Sequence, residues 1–186
     1  MILFINACVR SGSRTKRLAD ALIEKLNEPF EEVRLEELEL PKVDEAFLAK
    51  RDGLIESGCF EAPLFDLARR FAGADRIVIA APYWDLSFPA ALKQFFEHIN
   101  VLGITFRYME SGVPIGLCRA STLYYVSTAG GSFVPEEFGY GYVKALANSF
   151  YGINDTRLII AKGLDIAGAD AEKILDECIK GIFAHS

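Results

Sequence analysis

The chain has 186 residues, 51% of them hydrophobic, and a net charge of −6. That length suits a single domain over residues 1–186 with a sizeable core, the hydrophobic content excludes extended disorder, and the negative balance argues against nucleic acid or an anionic membrane surface as a partner. No apolar run approaches a membrane span, Met1–Ile5 enters a strand without a basic leader, and the cysteines at 8, 59, 118 and 178 have neither metal-ligand spacing nor the density of a disulfide framework, so a cytoplasmic protein is expected.

Taken in order, strands and helices alternate. Met1–Ala7 reads as a buried strand, followed by the polar loop C-V-R-S-G-S-R-T over residues 8–15. A helix with Leu18, Leu22, Ile23 and Leu26 on one face is broken by Pro29. Val33, Leu35 and Leu38 alternate with charge, as in a second and more exposed strand. Asp44–Ser57 is predicted helical and ends at Gly58; Pro63–Ala72 is predicted helical and stops at Gly73. Ile77–Ala81 is an unbroken apolar run, the pattern of a strand buried on both faces, and Pro82 ends it. Ser87 is placed to cap the next helix and Pro89 to occupy its first turn, with Phe88, Leu92, Phe95, Phe96 and Ile99 forming one stripe. Residues 101–112 read as a long connection. Ala120–Val126 is a fourth strand, with S-T-A-G-G after it; Val143, Leu146, Ala147, Phe150 and Tyr151 form a helical stripe stopped at Gly152. Arg157–Ala161 is a fifth strand. The last helix carries Ala171, Ile174, Leu175, Cys178, Ile179, Ile182 and Phe183, with Asp170 as its cap. Such alternation predicts an α/β fold, a doubly wound five-stranded parallel sheet with helices on both faces.

Ligands of open α/β sheets bind at the carboxyl ends of the strands. After strand one, Arg10, Ser13, Arg14 and Thr15 precede a helix, where hydroxyls, backbone N–H groups and the dipole suit a phosphate; ordinary capping by Ser13 or Thr15 is the plainer reading. After strand three come Pro82, Tyr83, Trp84, Asp85 and Leu86. Two aromatics on so short a loop point to a flat ligand, against the alternative that they merely cover the sheet end. After strand four, Ser127, Thr128, Ala129, Gly130 and Gly131 offer backbone that can approach a planar group closely, or else a flexible turn. His98 and His185 have no partner at metal or triad spacing, and no metal site is expected. The chain lacks G-x-G-x-x-G, H-E-x-x-H and G-x-S-x-G.

Pro82–Leu86, the Phe88-Pro89-Ala90 segment and Thr105-Phe106-Arg107-Tyr108 resemble the FMN-dependent NAD(P)H:quinone oxidoreductases, in particular the NADH-azoreductase branch of the flavodoxin-like fold. The likeness covers most of the chain in order. It implies the strand order 2-1-3-4-5 and non-covalent FMN, bound where the loops after strands one and three meet. It also implies NAD(P)H as co-substrate, ping-pong transfer of two electrons by hydride to quinone, azo or nitroaromatic acceptors, and a homodimer with sites at its interface. Ser13–Thr15 resemble the family's Ser-x-Ser/Thr phosphate site, and Ser127–Gly131 its S-R-G-G flavin segment, with Ala129 in the arginine position. Phe150, Gly152, Ile153 and Asp155 resemble F-x-G-I-x-D, whose Phe borders the substrate pocket; Phe150 also suits the core. Tyr108 carries over as a pocket residue lent across the dimer. The family usually has Tyr-Asn-Phe where this chain has Trp84-Asp85-Leu86, a change that bears on flavin redox tuning. No side chain is expected to act as catalytic acid or base.

Two other readings remain. Cys8, five intervening residues, Arg14 and Thr15 resemble the active loop of low-molecular-weight tyrosine phosphatases, with a thiolate at a helix N-terminus and an arginine gripping phosphate. That family supplies its acid from an Asp-Pro pair, and none of the seven prolines here follows an aspartate. A non-enzymatic flavin electron carrier is the third reading.

Overall fold

Alternation along strand β1 (Ile2–Asn6) sends Leu3 and Ile5 into one apolar cluster and Ile2 and Phe4 into another. Strand β3 (Arg76–Ala80) repeats the pattern, with Ile77 and Ile79 on the first side and Val78 and Ala80 on the second. A strand covered on both sides needs apolar residues at every position, hence the unbroken run. Each fully buried Ile or Phe contributes roughly 1.5–3 kcal/mol of transfer free energy. The computed structural model, which describes residues 1–184, completes the sheet with β2 (Phe30–Arg34), β6 (Thr122–Thr128) and β7 (Asp155–Ala161) in the order β2-β1-β3-β6-β7, every neighbour parallel. Counted along the sheet's own five strands, this is the predicted order 2-1-3-4-5.

Helices cover both sides. Helices α3 (Asp66–Gly73), α4 (Ala90–Ile99) and α5 (Tyr140–Leu146) bury Phe71, Leu92, Phe95, Phe96 and Val143 in the first cluster. Helix α2 (Glu45–Glu56) joins the same side through Leu54 and Ile55. Helices α1 (Arg14–Leu26) and α6 (Ala171–Ala184) cover the second with Leu18, Leu22 and Leu175. The predicted cap holds at α6, where Lys173 N–H donates to Asp170 (3.0 Å), and Asp44, expected within α2, instead caps it by accepting from Phe47 N–H (3.0 Å). Asn27, in the left-handed region at φ 49°, ends α1 two residues before Pro29.

Several boundaries differ from the sequence reading. Ser87 does not cap α4: the helix starts at Ala90 behind Pro89 with no side-chain cap, and the Ser87 hydroxyl donates to the Phe138 carbonyl. The cause is local. Trp84 and Ser87 exchange backbone hydrogen bonds (3.0 and 2.7 Å), closing a tight turn that holds Ser87 short of the helix. Asp85 lies inside that turn and caps nothing either. Residues 101–112 are not a plain connection, since β4 (Phe106–Tyr108) pairs antiparallel with β5 (Pro114–Gly116). Three-residue strands are too short to show a period. The second strand ends at Arg34, and Leu35–Glu37 form a 3-10 turn that buries Leu35 after the strand has stopped. Pro63–Phe65 likewise form a separate 3-10 turn ahead of α3. Helix α5 widens into a π turn at Ala147–Tyr151, ended by Gly152 at φ 77°. There the chain lies on β5 so closely that a Cβ on Gly116 would fall 2.0 Å from the Gly152 nitrogen. His185 lies outside the described residues. His98 bonds through Nε2 to the Pro41 carbonyl (2.9 Å) and packs edge-on to Phe47, a structural position.

Candidate functional site

Strands β1, β3 and β6 run in matching register, with Asn6 beside Ala80 and Ala80 beside Val126, so the loops that follow leave one sheet edge at one level. Between them lies a cavity of about 490 Å³, within the roughly 300–1,000 Å³ typical of small-molecule sites. Its walls are Val9, Arg10, Gly12, Ser13, Arg14 and Thr15 from the first loop, Pro82, Tyr83 and Trp84 from the second, Thr128, Ala129 and Gly130 from the third, and Leu164 and Asp165 from the loop after β7.

The first wall is the start of α1. Ser13 accepts from Lys16 N–H (3.2 Å) as a helix cap. The amides of Arg14 and Thr15, in the first turn, have no acceptor among the described residues, as helix geometry dictates. Thr15 is 1% exposed, and its hydroxyl lies 2.6 Å from that of Thr128. Arg14 pairs with Asp165 at 2.8 Å, while Arg10 has no ion-pair partner among the described residues. This end of the cavity presents cations, a hydroxyl pair and unpaired amides, the donor set that suits a phosphate ester.

The second wall is aromatic. Tyr83 N–H donates to the Thr128 carbonyl (3.1 Å), fixing the loop to β6, and the Tyr83 hydroxyl is buried without a partner among the described residues. Trp84 is 38% exposed. Asp85 and Leu86 follow at φ 49° and 68°, the signature of a type I′ turn, and they project outside the cavity. Asp tolerates that conformation; Leu adopts it at a cost of roughly 1–2 kcal/mol. On the third wall, Gly130 and Gly131 have amides with no acceptor among the described residues, while their carbonyls accept from Asp165 N–H (3.0 Å) and Gly163 N–H (2.9 Å). Gly131 does not line the cavity. A Cβ on Gly130 would meet Asp165 Oδ2 at 2.4 Å, so only glycine leaves room for that carboxylate.

Tyr108 and Phe150 are brought together, apart from these walls. Phe150, on the π turn, stacks on Phe106 (centroids 4.7 Å apart, 15° between planes), and Tyr108 meets the edge of the same ring (5.5 Å, 89°). Neither lines the cavity. Cys8 is buried, its thiol directed at the Ala80 carbonyl (3.9 Å), and burial raises its pKa despite opposing help from Ser13 and Lys16. A phosphatase nucleophile requires the opposite shift. Sequence reasoning missed Val9, Gly12, Leu164 and Asp165. Asp165 stands 151 positions from Arg14, and the available signal was topological, because the loop after the last parallel strand opens on the same sheet edge.

Among the described residues no helix is long and apolar enough to cross a membrane. The sequence matches the family described as having the flavodoxin-like fold over residues 1–185. It is 36% identical to an FMN-dependent NADH:quinone oxidoreductase of Clostridium beijerinckii, covering 96% of this chain and 93% of the relative. It is 33% identical to one of Coprothermobacter proteolyticus, covering 96% and 94%. In structure it is similar to an azoreductase from Bacillus anthracis, with TM-score 0.84 at 22% identity over 97% of this chain and 95% of the other. A second similar structure, an FMN-dependent NADH-azoreductase from the same organism in complex with FMN, gives 0.80 at 23% identity over 97% and 94%. With a parallel sheet of the right order, a cavity at its carboxyl edge and relatives matched end to end, the chain belongs to the FMN-dependent NADH:quinone oxidoreductase family of the flavodoxin-like fold.

Proposed function

We propose that the chain is an oxidoreductase that holds FMN non-covalently in this cavity and uses NAD(P)H to reduce quinone, azo or nitroaromatic acceptors. One observation carries the reading: a single cavity has a phosphate-type wall at Ser13–Thr15, a close-approach glycine at Gly130 and an aromatic wall at Tyr83–Trp84. The names of the curated relatives support it. The phosphate ester goes to Arg10, Ser13, Arg14 and Thr15. The ring system goes to Pro82, Tyr83 and Trp84, with Asp85 and Leu86 at the rim, Ala129 and Gly130 along its edge and Gly131 just outside, while Thr128 reaches the phosphate end beside Thr15. When bound, FMN supplies the redox chemistry, accepting hydride from NAD(P)H and passing two electrons to the acceptor in ping-pong order. The chain's own part is to bind, orient and exclude water; no side chain serves as acid or base.

A homodimer fits the outer surface. The Ser87–Phe138 bond draws two loops together beside the cavity, and Leu86 and Phe138, next to that bond, are both exposed. Apolar residues gathered at a site mouth mark an interaction surface. Tyr108, 51% exposed on the β4–β5 hairpin, is free to be lent across such an interface. Four free cysteines agree with a reducing cytoplasm.

The test begins with the visible spectrum of the purified protein. Flavin bands are expected, with release of FMN rather than FAD on denaturation, and parallel initial-rate lines for NAD(P)H against a quinone. Intersecting lines with a demonstrable ternary complex overturn the ping-pong order. Flavin binding without NAD(P)H oxidation leaves an electron carrier. A colourless protein that takes up no FMN and hydrolyses p-nitrophenyl phosphate through Cys8 replaces the reading with the phosphatase.

A further inference from the structure

Arg14 and Asp165 meet across the mouth of the cavity, one from the start of α1 and the other from the loop after β7, with Nη1 2.8 Å from Oδ1. The aspartate is held from several sides. Its own amide and that of Leu164 donate to the carbonyls of Gly130 (3.0 Å) and Ala129 (3.2 Å). Its Oδ2 fills the space that a Gly130 side chain would take. Just beyond it, Arg17 on α1 grips Glu172 (2.6 Å) and Asp176 (2.9 Å) on α6, fixing the two segments relative to each other. A carboxylate is thus tethered on the cation that the phosphate end of the cavity would otherwise offer to an anion. Arg10, in the same wall, carries no such partner among the described residues.

We propose that Asp165 is a specificity residue of the phosphate end, acting as a built-in competitor for Arg14 that an incoming phosphate group must displace. The inference rests on the flavin reading above. A tethered carboxylate has a high effective concentration at its partner, so a small free anion cannot outcompete it. A phosphate ester whose ring is already held at Tyr83 and Trp84 is tethered as well and can. Asp165 therefore lowers the site's affinity for phosphate as such and leaves selection to the whole flavin. Its cost falls on FMN and not on riboflavin, which has no phosphate.

The experiment uses the full-length chain freed of flavin, in wild-type, Asp165→Asn, Arg14→Met and doubly substituted forms. Each is titrated with FMN and with riboflavin by flavin fluorescence, and FMN binding is then competed with inorganic phosphate. Both side chains are partly exposed, 39% for Arg14 and 68% for Asp165, so little packing is lost in the variants. Asp165→Asn is expected to raise the riboflavin-to-FMN Kd ratio about fivefold, the upper range for an exposed ion pair. Competition by phosphate should strengthen by a similar factor, and neither change should occur in the Arg14→Met background. A ratio that falls means that Asp165 orients Arg14 for phosphate, and an unchanged ratio with both flavins weakened means that it accepts from the ribityl hydroxyls; either result overturns the proposal. Binding of neither flavin by the wild type removes the flavin reading itself, and this inference with it.

Discussion

Thr15 and Thr128 face each other with hydroxyls 2.6 Å apart, tying the first turn of α1 to the end of β6. Between them they have two protons, and their mutual bond uses one, leaving one O–H for an incoming oxygen. Thr15→Val should cost about 1 kcal/mol, roughly 2–4 °C in melting temperature for a chain of this size. Thr128→Val should cost a similar amount, and the double variant less than the sum, because the two share one bond. FMN affinity should fall most in the double variant, which keeps no O–H to donate, since a hydrogen bond to a charged group is worth about 1.5–3 kcal/mol. A lowered melt with unchanged flavin affinity would return the pair to a purely structural role.

Gly130 stands where any side chain would meet Asp165 at 2.4 Å. The obstructing atom is the end of an exposed side chain, so the fold can yield. Gly130→Ala should leave the melting temperature of the flavin-free protein within about 2 °C. The new methyl then narrows the wall where backbone approaches the ring, and FMN and riboflavin Kd should both rise about tenfold or more. Fluorescence titration beside a thermal melt separates the two effects.

Asp85 sits exposed in the Trp84–Ser87 turn beside the aromatic wall. A carboxylate there disfavours the negative charge that reduction brings to a flavin. At about 7 Å and an effective dielectric of about 20 the interaction is roughly 2.4 kcal/mol, an upper limit before solvent screening. For two electrons that corresponds to about 50 mV. Asp85→Asn should therefore raise the midpoint potential by tens of millivolts in a potentiometric titration. Asn adopts the left-handed region as readily as Asp, so the melting temperature should hold. A potential that does not rise ends the tuning idea.

The thiols divide sharply. Burial raises the pKa of Cys8 and pushes that of Cys118 up to about 12, whereas Cys59 is exposed. The thiolate is the reactive form. At pH 8 a disulfide-exchange reagent should modify Cys59 rapidly in the native protein, and Cys8 and Cys118 only on unfolding. Rapid native modification of Cys8 would revive its candidacy as a nucleophile.

Much of this fold can be read from pattern alone. Ile77–Ala81 and the Leu18–Leu22 stripe name their elements because burial on two faces, or on one, leaves its period in the residues. Arg10, Ser13, Arg14, Thr15, Pro82, Tyr83, Trp84, Thr128, Ala129 and Gly130 do converge on one cavity, since topology places their loops at one edge. The β4–β5 hairpin was hidden by its shortness, and Ser87 was misplaced because a turn formed by backbone bonds leaves no side-chain signature. Asp165 was missed for a different reason: its partner is distant in sequence, so its signal lay in the topology of the sheet and not in any local pattern.

The clasp of Arg17 on Glu172 and Asp176 has a bearing on how the molecule is made. It joins the first helix to the last, and Leu175 of α6 is fully buried against the side of the sheet that α1 also covers. A nascent chain that has not yet reached Ala171 must leave part of that apolar face open to water, although β1 and α1 left the ribosome first. Such exposed surface is where aggregation starts and chaperones bind. The order of synthesis and the order of completion are thus opposed on this side of the sheet, and the N-terminal helix gains its full set of neighbours only when the final helix arrives.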